Sequence, residues 1–296
     1  MRRLRVFLAA LSVLAGVSLW GYSNARQDPV VRRSRIAMPE WPRGAPPVHV
    51  LLMSDIHLGN WSMGTGRLER IVGEVNALQP DLVVIAGDFL DGFDNTSARA
   101  ARLVQPLSHL NAPLGIVAVL GNHDRKIDPA VVIQALERAG VTVLVNQSVR
   151  RGPLAIGGAG DGFRVRSLSL LAEQLHGLGG VPVFVAHEAD SAPRRPLDMP
   201  LMLVGHTHCG QIVLPLIGPL TPEIVKDQRY LCGLVHDAAG ETVVTGGLGT
   251  SNAPFRFGAP PDMWLLTLGP FSPSGPGDSA LNTRKRRNAE GKGSEH

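Results

Sequence analysis

An α/β fold, with two sheets packed face to face and helices outside them, is predicted by two features of this 296-residue chain. Strand and helix signals alternate through the first half, and strand signals dominate the second. Short apolar runs also end repeatedly in aspartate, asparagine or histidine. In open α/β sheets that carboxyl edge is where ligands bind.

The first apolar run, residues 6–20, follows Arg2, Arg3 and Arg5 and is extended by Gly21 and Tyr22. It approaches the roughly 17 residues needed to span a bilayer. Residues 1–25 therefore read as a membrane anchor or as a secretory signal, with Ser23-Asn24-Ala25 as the cleavage context. Arg26, Arg32, Arg33 and Arg35 follow the run, so flanking charge does not orient it. Residues 26–47 are rich in proline and arginine, lack periodicity, and read as a basic linker.

The domain expected over residues 48–269 opens with a buried strand at 48–53 that leads into Asp55 and His57. Leu68, Ile71, Val72, Val75 and Leu78 have helical spacing and stop at Pro80. A strand at 82–86 is closed by Gly87-Asp88, a helix follows over 97–110, and a strand at 115–120 ends in Gly121-Asn122-His123-Asp124. Pro129 starts a helix that Gly140 ends. Beyond short strands at 141–145 and 154–157, a helix is expected over 168–175. The strand at 181–186 delivers His187, and the strand at 201–204 delivers Gly205-His206-Thr207-His208. Further strands are expected near 211–214, 231–235, 242–245 and 263–268, before a disordered basic tail over 270–296.

The net charge of +4 is unevenly placed. Residues 1–43 hold eight arginines against Asp28 and Glu40, and residues 270–296 hold five basic against three acidic side chains, which leaves the body at −4. The basic ends suit anionic headgroups, and the acidic body argues against a nucleic-acid partner. Cys209 and Cys232 are too few for a disulfide framework and read as two free thiols.

Asp55, His57, Asp88, Asn122, His123, His187, His206 and His208 all fall at strand ends. Singly, each is ordinary turn chemistry. Together they form a donor set suited to divalent metals. His49, His109, His176, His236 and His296 have no motif partner and read as ordinary surface or core side chains. Asp91 reads equally as a neighbour of the site or a helix cap, and Arg125 and Arg256 read as solvated.

In this order the motifs resemble the calcineurin-like metallophosphoesterases, over residues 48–268. The resemblance implies a four-layer α/β/β/α sandwich around two divalent metal ions. It implies that Asp55, His57 and His208 bind the first, that Asn122, His187 and His206 bind the second, and that Asp88 bridges them. The donor set suits manganese, iron, zinc or cobalt without selecting one. His123 would serve the leaving group, with Asp124 holding its imidazole. Gly205-His206-Thr207-His208-Cys209-Gly210-Gln211, Gly247-Leu248-Gly249-Thr250-Ser251 and Arg256-Phe257-Gly258-Ala259-Pro260-Pro261 further resemble a bacterial membrane-associated subgroup, which usually has glycine where this chain has Cys209. The expected activity is hydrolysis of a phosphodiester or pyrophosphate at a bacterial membrane, on a lipid-linked substrate for which UDP-2,3-diacylglucosamine is one candidate. A phosphomonoesterase acting on envelope phosphates and a catalytically silent scaffold are the alternatives.

Overall fold

The computed structural model describes residues 2–92, 96–160, 165–221 and 224–271. Among these, helix α1 (Arg2–Arg26) precedes β1 (Val30–Ala37) and β2 (Val48–Met53). Next come α2 (Thr65–Ala77), β3 (Leu82–Ala86), α3 (Thr96–Ser108), β4 (Ile116–Val119), α4 (Asn122–Ile127), α5 (Pro129–Arg138) and β5 (Val141–Val143). The second half holds β6 (Gln147–Arg151), β7 (Leu154–Gly158), α6 (Val165–Leu178), β8 (Val181–Val185) and β9 (Leu201–Val204). The short hairpin β10 (Val213–Leu214) and β11 (Gly218–Pro219) follows, and β12 (Gly233–Asp237), β13 (Gly240–Val244) and β14 (Asp262–Gly269) complete the fold.

Two six-stranded sheets result, in the orders β1-β14-β2-β3-β4-β5 and β12-β13-β9-β8-β7-β6. Strands β2 to β5 are mutually parallel, as are β7, β8, β9 and β13. Their side chains alternate between layers, as the strand period of two requires. Leu51, Met53, Val83, Ile85 and Ala118 face α2, α3 and α5, where Leu68, Leu103 and Leu136 meet them. Val50, Leu52, Val84 and Val117 face inward onto Ile156, Val183, Leu201 and Leu203 of the other sheet. On the far side Phe184, Met202 and Val244 are covered by Leu171 and Leu175 of α6. Four layers, α/β/β/α, therefore enclose three apolar seams, and every residue of β3 is buried, as expected of a strand covered on both faces.

Local signals fix the helix ends that matter here. Asp128 caps α5, accepting from the N–H groups of Ala130 (3.1 Å) and Val131 (3.4 Å), with Pro129 at the first helical position. Helix α2 turns Leu68, Ile71, Val72 and Val75 inward, the spacing read from the sequence.

The interval read as a linker is different. Its residues 30–37 form the edge strand β1, parallel to β14 from Val30↔Asp262 to Ala37↔Gly269. The Arg32 Nε donates to buried Asp262 at 2.6 Å, and Ile36, Met38 and Trp41 join the inter-sheet core. Most of the tail expected to be disordered, residues 272–296, lies outside the described residues.

Candidate metal centre

The carboxyl ends of β2, β3, β4, β8 and β9 open onto one place between the two sheets. Asp55 and His57 follow β2, Asp88 follows β3, Asn122 and His123 begin α4 after β4, His187 follows β8, and His206 and His208 follow β9. Five of these residues stand in the left-handed backbone region: Asp55 (φ +51°), His57 (+49°), Asp88 (+56°), His206 (+70°) and His208 (+49°). Each such residue costs about 1–3 kcal/mol, and such strain is kept at functional sites when the surroundings over-determine it. The glycines beside them allow close approach. A Cβ on Gly87 would lie 2.6 Å from the Gly121 nitrogen and 2.8 Å from His187 Nδ1.

Two of the ligand-sized clusters among the described residues are built from these strand-end side chains. Asp55, His57 and His208 form one, and Asp88, His187 and His206 the other, each with one donor atom per residue within 4.8 Å of the rest. In the first, His208 Nε2 lies 3.5 Å and His57 Nε2 3.9 Å from Asp55 Oδ1. In the second, His206 Nδ1 lies 3.2 Å from His187 Nε2, and Asn122 Oδ1 approaches the same nitrogen at 3.0 Å. Asp88 Oδ2 stands between them, 3.5 Å from His57 Nε2 and 3.2 Å from His187 Nε2.

Buried atoms here lack protein partners. Asp55 Oδ1 and both ring nitrogens of His57 are inaccessible and make no hydrogen bond. Leaving such groups unpaired is costly, and a cation among them would satisfy Asp55 Oδ1 and the unprotonated nitrogen of His57. His187 Nδ1 faces the Ala86 carbonyl at 2.7 Å. In the tautomer that donates there, Nε2 presents its lone pair to the cluster.

The electrostatics agree with a cation-binding site. Burial holds His57 below the usual histidine range, burial and His187 take His206 down to about 3, and burial with His57 holds His208 well down. These rings stay neutral and available as donors. Burial alone would lower His187 too, but adjacent Asp88 overrides it and pushes the ring up to about 10. Asp88, which burial alone would raise, is held low by His187 and His57. Burial raises Asp55.

His123 is half-buried beside this centre, edge-on to His57 with ring centroids 4.7 Å apart. Its backbone N–H donates to Asp88 Oδ1 at 2.8 Å. The partner the resemblance implied for its imidazole is not the one found. Fully buried Asp124 instead accepts from the backbone N–H groups of Asp88, Phe89 and Gly121 at 2.9 Å and of Leu90 at 3.3 Å. It ties the loop after β3 to the loop after β4. Burial and Asp88 push it up to about 7 in spite of those donors. The carboxylate facing His123 belongs to Asp91, whose Oδ1 lies 3.6 Å from His123 Nδ1, an ion-pair separation, while its Oδ2 accepts from Asn60 at 2.9 Å.

Other sequence readings are corrected here. Arg256 is fully buried, not solvated. Its guanidinium donates to the carbonyls of Gly246 (2.7 Å), Gly249 (2.6 Å) and Ala259 (3.1 Å), and lies 3.2 Å from His208 Nδ1. Arg125 is half-buried and paired with Glu188 at 2.8 Å. Cys209 and Cys232 form a disulfide and are not free thiols. Cys209 sits at φ +52°, ψ +31° directly after His208, a conformation glycine adopts without cost. Ser54 is a contributor the sequence did not flag: its hydroxyl donates to Asp55 Oδ2, which also accepts from the His206 N–H at 3.0 Å.

Comparison with known proteins places this arrangement. The profile described as calcineurin-like phosphoesterase matches residues 48–210. An uncharacterized metallophosphoesterase of Bacillus subtilis, YkuE, is 30% identical over 277 residues, covering 88% of this chain and 93% of that protein. A transmembrane protein with metallophosphoesterase domain from Danio rerio is also 30% identical, covering 89% of this chain, which spans 63% of that protein's length. An uncharacterized metallophosphoesterase of Campylobacter jejuni is 27% identical over 89% of this chain and 70% of its own length.

Proposed function

This chain belongs to the calcineurin-like phosphoesterase family, and we propose that its two clusters each hold a divalent metal ion and that it hydrolyses a phosphodiester or pyrophosphate bond of a lipid-linked substrate at a membrane surface. It is a metal-dependent phosphoester hydrolase. The observation that carries the finer reading is Asp88, whose Oδ2 lies between His57 and His187 at 3.5 and 3.2 Å. A carboxylate so placed serves both clusters and offsets the repulsion between two dications.

In this reading Asp55, His57 and His208 hold one ion and Asn122, His187 and His206 the other, with Asp88 shared. Bound there, such ions supply Lewis acidity toward a phosphoryl group and activation of water. The mixed imidazole, carboxylate and amide set suits manganese, iron, zinc or cobalt. The protein's own part is orientation and proton transfer. Ser54 and the His206 N–H fix the Asp55 carboxylate, and Asp124 fixes the backbone that carries Asp88. His123, 24% exposed at its side chain, is the proton donor to the departing oxygen, and Asp91 raises its imidazole above the usual histidine range and orients it. Asp124 acts through Asp88 and not through His123.

Helix α1 is long and apolar enough to cross a membrane, and at about 1.5 Å per residue its length exceeds a hydrocarbon core. Leu4, Phe7 and Leu11 on one face of it and Val6, Val13 and Trp20 on the opposite face are all exposed, so neither face is covered. Gly21 and Ala25 are buried against the domain, which supports an anchor retained in the mature protein over a cleaved signal. The Cys209–Cys232 disulfide supports a catalytic domain on the oxidising side of that membrane. UDP-2,3-diacylglucosamine hydrolysis needs a cytoplasm-facing domain, so this orientation favours a different lipid-linked phosphoester.

The test uses the full chain reconstituted in lipid and loaded with manganese, comparing bis(p-nitrophenyl) phosphate with p-nitrophenyl phosphate. Faster turnover of the diester is expected. His123→Ala should lose about 10²–10⁴-fold in turnover with its metal content unchanged. Diester hydrolysis undiminished in Asp88→Ala or His123→Ala overturns the mechanism.

A further inference from the structure

The hairpin that follows the β9 histidines is built the wrong way round for water. Turns between short strands normally expose glycine, asparagine, aspartate or serine. Here the turn between β10 and β11 is Pro215-Leu216-Ile217, with Leu216 fully exposed at φ +67° and Ile217 71% exposed. Leu220, just beyond β11, is exposed as well. Contiguous exposed apolar side chains mark an interaction surface.

The position of the hairpin says what it meets. The Val213 N–H donates to the Phe257 carbonyl at 2.8 Å, and the Phe257 N–H donates to the Gln211 carbonyl at 3.0 Å. Phe257 in turn receives the end of α1. Its ring lies 5.3 Å from Trp20, edge to face. It packs so closely on Gly21 that a Cβ there would come within 2.6 Å of the ring atom Cε2. The Arg256 N–H donates to the Gly21 carbonyl at 3.0 Å. The apolar tip thus stands beside the point where the membrane-length helix meets the domain.

A second exposed side chain lies at the same level. Trp61, in the loop after His57, is 80% exposed, and its carbonyl accepts from Tyr22 of α1 at 3.1 Å. Arg26 lies over the Tyr22 ring at 5.4 Å. Trp20, Tyr22 and Trp61 with a neighbouring arginine make the aromatic and basic girdle found where protein crosses from hydrocarbon to headgroups.

We propose that Leu216, Ile217, Leu220 and Trp61 dock the catalytic domain onto the bilayer that α1 enters, so that the loops carrying His57 and His208 open toward the lipid headgroups. The base of the hairpin is joined through Phe257 to the domain end of α1, which makes the lipid bilayer that α1 enters its occupant. Burying these exposed apolar side chains from water favours the docked state, and the domain is already tethered there by its helix. The proposal rests on α1 being a membrane anchor. It adds an orientation: a phosphoester at headgroup depth reaches the metal clusters without leaving the membrane.

The test labels full-length Ile217→Cys with an environment-sensitive nitrobenzoxadiazole and reconstitutes it in phosphatidylcholine–phosphatidylglycerol vesicles. The two native cysteines, joined to each other, take no label. Leu197→Cys is the control, because Leu197 is 76% exposed but precedes β9, at the opposite edge of the sheet from His206. Expected is flotation with vesicles, quenching of the label at 217 by acyl-chain doxyl lipid, and several-fold weaker quenching by aqueous iodide than at 197. Flotation with equal iodide quenching at the two positions overturns the docking and spares the anchor. Protection from iodide without doxyl quenching assigns the tip to a protein partner, such as a second copy, and also overturns it. Protein that does not float overturns anchor and docking together.

Discussion

The guanidinium of Arg256 lies 3.2 Å from His208 Nδ1 and is wholly buried. From there it also holds the carbonyls of Gly246, Gly249 and Ala259. Burial takes it down to about 10, so it remains charged at neutral pH. It therefore steadies one candidate ligand and the glycine-rich loop after β13 together. Arg256→Met should destabilise the chain by at least about 3 kcal/mol, since several buried acceptors lose their donor, and should weaken metal retention. Arg256→Lys should rescue little, because one ammonium cannot span the same fan of carbonyls. Thermal unfolding and metal content check both.

Asp91 and Asp124 make opposite predictions for the pH profile. His123 is raised above the ordinary histidine range chiefly by Asp91, against burial. A proton-donating histidine is active below its pKa, so the alkaline limb of kcat/KM reports it. Asp91→Asn removes the charge that raises the ring, and the limb should move to lower pH. Asp124→Asn should leave the limb in place. It should instead lower thermal stability and metal content, because an amide presents an N–H₂ group to donors that Asp124 now accepts. Paired profiles of the two variants decide which aspartate serves His123.

Much of the strand framework was legible because β2, β3, β4, β8 and β9 are short apolar runs that stop at a polar cluster. The residues singled out there, from Asp55 to His208, are brought together by a parallel topology that places all those ends on one edge. What stayed hidden depends on partners distant in sequence. Strand β1 carries Arg32, Arg33 and Arg35 and pairs with β14, some 230 residues away, so nothing local marks it as a strand. The resemblance implies Asp124 as the partner of His123, yet α4 turns that carboxylate back toward backbone donors. The acceptors of Arg256 are main-chain carbonyls, which leave no trace in side-chain identity, and arginine is ordinarily solvated. A pair of cysteines likewise does not announce that it is bonded.

Metal loading should be proton-coupled. In the metal-free chain Asp88 holds His187 up to about 10, so the ring carries a proton at neutral pH that a cation must displace. Apparent affinity should therefore rise with pH through the neutral range, and binding should release protons. Calorimetric titration of manganese in two buffers of different ionisation enthalpy measures that release; equal heats in both would count against it. Chelation should also lower the melting temperature, as loss of a ligand at about 1,000 times its Kd removes about 4 kcal/mol per site.

The Cys209–Cys232 disulfide closes a loop of 23 residues' separation beginning directly after His208. Cross-linking a loop near this size is worth about 3 kcal/mol, mainly by restricting the unfolded chain. Here it also holds Cys209 in a left-handed conformation that a side chain disfavours, and through it the backbone of His208. Cys232→Ser should thus lower stability by about 3 kcal/mol and reduce metal content at the Asp55–His57–His208 cluster. Dithiothreitol should impose the same losses on the parent chain and add nothing to the variant. Urea unfolding and metal analysis, each with and without reductant, give four conditions. A parent chain indifferent to reductant would show that the disulfide does not support the ligand.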